Sequence, residues 1–303
     1  MDDKELFEFV AKEELQIKEF VRPSVSYWSD AWRRLKKNRF AMIGLVLIII
    51  LIVFAIIGPI ISPYEYDQTD LNNVYAPMSW KHIFGTDELG RDVLTRVLYG
   101  ARISLAVGFV ASFLNLIIGV IYGGISGYLV GRVDNIMMRI VDILYSVPIL
   151  LIVILLMVVL RPGLTNVFIA LGIAYWVGMA RIVRGQVLSL KEQEFTLAAK
   201  ALGADKKRIL LKHLIPNTIG PIIITATLLI PDAIFFESFL SFIGLGVSAP
   251  MASWGVLASD GARAFMSHPN LFLVPSLFIC ITMLSFNFLG DGLRDSLDPR
   301  LRK

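Results

Sequence analysis

The chain of 303 residues has one cysteine, three histidines and no glycine-rich phosphate-binding loop ending in Gly-Lys-Ser/Thr. Cys280 has no partner, which excludes an intramolecular disulfide. The histidines, His82, His213 and His268, are scattered and lack ligand spacing, so no metal site is expected. Without the phosphate loop, the chain is not expected to hydrolyse ATP itself. It is also short of charge. Only 18% of its residues are charged, 56% are hydrophobic and the mean hydropathy is +0.68. Ordinary soluble domains sit near 45–50% apolar. A soluble fold is excluded, and nothing here suggests a nucleic-acid partner.

The apolar residues are gathered into charge-free runs at 40–64, 103–131, 143–160, 162–180 and 271–290. A sixth run, 217–247, is broken only by Asp232 and Glu237. About 20 residues of helix cross a bilayer, so each run spans once and the chain is an all-α polytopic membrane protein of six transmembrane helices. The first run lies behind a long charged stretch and has the character of a retained anchor, not a cleaved leader. With the N-terminus cytoplasmic, 23 of the 29 Lys and Arg fall on the inner side and six outside. Both termini are therefore expected in the cytoplasm. Residues 1–40 form an inner tail. Within "VSYWSDAWRRLKKNRF", Trp28, Trp32 and Leu35 share a helical face among basic residues, which suits a helix at an anionic lipid interface.

Between the first two spans, residues 62–102 mix both signs of charge and suggest a small external cap. Gly119, Gly123, Gly127 and Gly131 recur every four residues in span 2, making a ridge against which another helix of the transport assembly can pack closely. Pro221 and Pro231 are expected to interrupt span 5. Asp232 and Glu237 mark that span as a possible pathway, although five residues place them on different faces. Attachment to neighbouring backbone near the outer end is an equal reading.

The stretch 191–216 is the most hydrophilic in the second half. Phe195, Ala198, Ala199 and Leu202 form the buried stripe of an amphipathic helix. Gly203 occupies a left-handed cap position, and Asp205 can cap a second helix over 206–214 that Pro216 ends. A mere connection needs only a few residues, so this hairpin reads as a docking element.

"LAAKALGADKKRILLKHLIPN", residues 197–217, resembles the cytoplasmic signature of ABC importer permeases. Ala198, Ala199, Gly203 and Pro216 fall at its positions, while Leu197 and Ile215 depart from its usual acidic residue and leucine. His213 before "LIPN" is similar to the peptide and nickel branch. So are "HIFGTDELGRDVLTRVLYGARISL" at 82–105, "FLSFIGLGV" at 239–247, "ASWGVLASDG" at 252–261 and "FNFLGDGLRDSLDPRLRK" at 286–303. The nearest likeness is to C-type oligopeptide permeases of low-GC Gram-positive bacteria.

That resemblance implies the type I ABC importer permease fold in the cell membrane, with a core over 99–291, an N-terminal region over 41–98 and an inner tail over 292–303. It implies half of an oligopeptide pathway, completed by a second, B-type permease. Two ABC ATPase subunits would supply ATP and Mg, and an extracellular peptide-binding protein would deliver the substrate; no cofactor is expected on this chain. The role of ATPase coupling is carried to Glu194, Leu197, Ala198, Ala199, Leu202, Gly203 and Ala204. Dipeptides, nickel or another solute stay open as cargo. A proton-coupled carrier would need a carboxylate relay built on Asp232 and Glu237. An aspartyl protease is suggested only by "LGDG" at 289–292, which no second acid faces.

Overall fold

The computed structural model describes residues 26–298; most of the expected N-terminal tail, 1–25, and the end of the C-terminal signature, 299–303, lie outside the described residues. The described residues form helices without a named strand. Five are long and apolar enough to cross a membrane: α2 (Arg39–Ile61), α3 (Val93–Leu129), α6 (Leu164–Lys191), α10 (Ile219–Phe242) and α12 (Asn270–Leu297). Their outward faces keep apolar side chains exposed, as Val46, Ile49, Val53 and Ile60 do on α2. A surface of that kind is stable against lipid tails and costly against water.

The run 143–160 is not one straight span. It falls on α4 (Arg132–Ser146) and α5 (Ile149–Leu160), which meet at 86°. Pro148 sits at the break and serves as the N-cap of α5. Proline pushes the residue before it towards extended backbone, and Val147 is extended at φ −92, ψ 130. With twelve residues, α5 is about 18 Å long and too short to cross alone. The pair counts as the sixth crossing only if taken together.

Pro221 and Pro231, by contrast, do not interrupt span 5. Pro221 lies in the first turn of α10, where an amide hydrogen has no partner to lose, and α10 continues through Pro231. Likewise α12 runs on through Leu297, so the stretch after Asp291 is helical where a tail was expected.

The two ends of the bundle differ. At one end, residues 62–92 fold as an irregular cap with a single 3₁₀ turn, Leu71–Asn73. Asp87 is its centre: it holds Arg91 at 2.7 Å and also Arg96, with the three side chains nearly buried. Asp92 caps α3 through the Thr95 amide at 2.8 Å and takes His82 at 2.9 Å. The Asn270 amide reaches the Phe84 carbonyl, which ties the cap to the start of α12.

At the opposite end, α1 (Tyr27–Leu35) lies against the end of α12, its Tyr27 hydroxyl donating to the Leu297 carbonyl at 3.1 Å. Gly220, at the start of α10, faces the same two residues. The aromatic face expected of α1 is divided. Leu35 and Ala31 are buried, whereas Trp28 and Trp32 point outwards, with Lys36 over the Trp32 ring.

Candidate functional site

The glycines of α3 explain how its centre is built. A Cβ on Gly119 would strike Met179, one on Gly123 the Ala180 backbone, and one on Gly127 the Arg184 carbonyl. Three glycines therefore let the α3 and α6 backbones touch. Gly131 departs from the expected ridge. It has φ +74 with open space around it, and it turns the chain between α3 and α4. Ion pairs fasten α4 to the same unit: Arg184 grips Asp134 with two bonds of 2.6 Å, and Arg181 meets Asp142 at 2.5 Å.

The expected hairpin follows α6. Its first helix, α7 (Glu194–Ala201), is anchored by Thr196, fully buried, whose hydroxyl donates 2.8 Å to the Leu190 carbonyl. That bond satisfies one of the carbonyls left open at the end of α6. Gly203 then adopts φ +80. The Ala204 amide returns to the Ala199 carbonyl and the Gly203 amide to that of Lys200, both at 3.0 Å. This paired closure is a Schellman turn, which needs a left-handed residue at Gly203.

The stripe expected to be buried is mostly open. Phe195 and Ala198 are exposed, and Leu202 is 88% exposed. Leu197 and Glu194 are exposed as well. Of the proposed coupling residues, only Ala199 is buried in its own chain, at 8%, with Ala204 partly covered beside Ile209. The helix rests on Thr196 and Ala199, not on its large apolar side chains. Sequence periodicity marked an apolar face but could not say whether the chain itself would cover it.

The second arm differs from the reading as well. Asp205 precedes α8 (Lys206–Arg208) but makes no side-chain capping bond. A π-helical turn over Ile209–Leu214 follows, then α9 (Ile215–Asn217), which contains Pro216. Pro216 occupies the opening of α9, a position that tolerates proline, so the helical path passes it and leads into α10. The result is an exposed apolar tip, Phe195, Leu197 and Leu202, beside the exposed cations Lys200, Lys206, Lys207 and Arg208.

The two acids of α10 have opposite surroundings. Glu237 is fully buried and takes hydroxyl bonds from Ser241 at 2.7 Å and Ser104 at 3.2 Å. Ser104 in turn accepts the Trp254 amide at 3.2 Å, which joins α3 and α10 to α11 (Trp254–Arg263). Trp254 adds a 3.0 Å bond from its indole nitrogen to the Val97 carbonyl. Glu237 is thus enclosed in a polar knot of side chains, neither open to a pathway nor bonded to backbone. No spacing in the sequence announced the serines that surround it. Asp232 remains exposed. Among the described residues no group of three or more His, Cys, Asp or Glu is placed to hold a metal.

The binding-protein-dependent transport system inner membrane components match residues 115–303, and the N-terminal transmembrane domain of oligopeptide transport permease C matches 26–77. The dipeptide transport system permease protein DppC of Bacillus subtilis is 56% identical over 283 residues, 93% of this chain and 88% of the relative. The oligopeptide transport system permease protein OppC of the same organism is 53% identical, covering 99% and 98%. Its Escherichia coli K12 counterpart is 46% identical, covering 91% and 92%. Among solved structures, an inward-facing MetNI methionine ABC transporter chain aligns at TM-score 0.53 and 18% identity, covering 67% of this chain and 96% of that one.

Proposed function

This chain belongs to the binding-protein-dependent transport system inner membrane components, and from that premise we propose that it is the C-type permease of an ATP-driven peptide importer. Oligopeptides are the favoured cargo, with dipeptides the second reading; both names occur among relatives of similar identity. The chain forms half of the path. A B-type permease supplies the other half, two ABC ATPases bind ATP and Mg, and an extracellular binding protein loads the peptide. The chain lies in the cell membrane with the hairpin and both termini in the cytoplasm.

The observation that carries this reading is the open apolar tip of a hairpin whose backbone is otherwise locked. Phe195 and Leu197 are only half covered by their own chain and Leu202 hardly at all, while Thr196 and the Gly203 turn hold α7 in place. An apolar tip on a fixed mount suits a shallow groove with an acidic rim, which the neighbouring lysines would face. Docking there would pass ATPase movement into α6 and α10.

Leu202→Asp tests it. A buried charge without a partner costs several kcal/mol, so the ATPases should be retained at least roughly a hundredfold less well. Leu202 touches little in its own chain, and the unfolding temperature of the permease pair should not change. Pull-down of the ATPases and peptide-stimulated hydrolysis in proteoliposomes give the readout. Normal retention and normal coupling would overturn the assignment.

A further inference from the structure

Asp232 poses a problem that Glu237 does not. It stands thirteen residues after Ile219 and ten before Phe242, about 20 Å and 15 Å along the axis of α10, so it lies near the middle of the span. Its carboxylate is exposed there, and no ion pair or hydrogen bond joins it to any described residue. A charge facing lipid at that depth is costly; one facing a water-filled path or a bound cation is not.

Its neighbours give the site a chemistry. Tyr175 of α6 lies within electrostatic reach of Asp232, is 8% exposed, and has a hydroxyl with no hydrogen-bond partner. Buried tyrosine hydroxyls usually find a partner, so an unpaired one beside an unpaired carboxylate marks a place where something else bonds. The Tyr175 ring meets Phe236 edge-on at 5.4 Å, and Phe236 meets Phe235 edge-on at 5.7 Å. Phe235 is itself 49% exposed. One acid, one free hydroxyl and a run of aromatic rings suit an organic ammonium: the carboxylate supplies charge, the hydroxyl accepts a hydrogen bond, and the ring faces attract the cation.

We infer that Asp232, Tyr175, Phe235 and Phe236 form a mid-membrane subsite for the terminal ammonium of the passing peptide. The inference rests on the peptide-importer reading above. It assigns Asp232 a specificity role in the path, and leaves Glu237 a purely positioning one. A lysine of the second permease offers the same ammonium chemistry, but it would make Asp232 an assembly contact.

The test uses the permease pair with its ATPases, purified in detergent without the binding protein, and trialanine as the probe. Saturation-transfer NMR should show trialanine binding, with N-acetyl-trialanine at least about fivefold weaker. Asp232→Asn should abolish that preference, and Asp232→Glu should keep it. In proteoliposomes with the binding protein, Asp232→Asn should lower peptide uptake about tenfold while loaded binding protein still stimulates hydrolysis. Equal binding of the two peptides by the wild type would overturn the subsite, as would an unchanged preference in Asp232→Asn. Loss of the second permease from the Asp232→Asn complex would do so too, by showing a contact between subunits. If the wild-type proteoliposomes import no peptide at all, the importer reading itself fails.

Discussion

The cap end and the hairpin end of this bundle solve opposite problems. At the cap end, charge is turned inwards: Asp87 holds Arg91 and Arg96, and Glu237 is enclosed by serines. At the hairpin end, apolar side chains are turned outwards, with Leu202 almost wholly uncovered. Buried ionic groups need every partner they have, so the cap end admits one arrangement. An uncovered leucine has no such demand and waits for a surface from elsewhere. The chain completes one end by itself and, under the function proposed above, leaves the other to an assembly.

The sharpest way to break that contrast is Asp87→Ala. It strands Arg91 and Arg96, with Asp260 at 3.9 Å the remaining acid near Arg96. Removing one member of a buried ionic set typically costs about 3–5 kcal/mol. Thermal unfolding of the purified permease pair should fall accordingly, with hairpin chemistry untouched. A variant as stable as wild type would mean that the cap is held by its backbone and not by charge.

Gly123→Leu attacks the contact that lies between the two ends. Because the added side chain meets the Ala180 backbone, which has no rotamer to move, the cost should reach or exceed about 1–3 kcal/mol. The permease yield and its unfolding temperature should both drop. Gly131→Leu gives the opposite case, strain without a clash: a Cβ there meets nothing, and its cost comes from the positive φ.

Gly203→Val is the mildest change and the most informative about the hairpin. No atom lies within 4 Å of a Cβ at Gly203, so any effect is backbone strain, about 1–2 kcal/mol for the left-handed state. The global unfolding temperature should barely move, whereas amide exchange at Gly203 and Ala204 should quicken and peptide-stimulated hydrolysis should weaken. Unchanged exchange would show that the turn tolerates a branched side chain.

Much of this architecture was legible because a bilayer leaves a coarse mark: charge-free runs located five crossings, and the Ala-Leu-Gly ending of α7 located its left-handed turn at Gly203. The bend at Pro148 was not legible, since hydropathy over 143–160 is blind to direction. The prolines misled in two ways: Pro216 and Pro221 stand in a first turn, where proline is tolerated, and Pro231 lies in the interior of α10 without ending it. For the acids, spacing separated Asp232 from Glu237, but only the packed neighbours show that one is sealed by Ser104 and Ser241 and the other is not. The alanines of the hairpin were ambiguous for a similar reason: Ala199 faces home, Ala198 faces away, and period alone does not say which side is occupied.

The glycine contact between α3 and α6 also limits where this molecule can change shape. Two backbones in direct contact cannot slide without one carbonyl riding over another, so α3 and α6 must travel as a single beam. Through Thr196 and Leu190 that beam carries α7 at its end, and through Arg184 and Asp134 it carries α4. What lies beyond the right-angled corner at Pro148 is tied in by apolar contacts, such as those of Val153 and Met157 with the core, and at its far end by the Asn166 amide, which donates to the Leu160 carbonyl. If opening and closing of a path involves one elbow in this chain, the corner between α4 and α5 is where the beam ends and the joint begins.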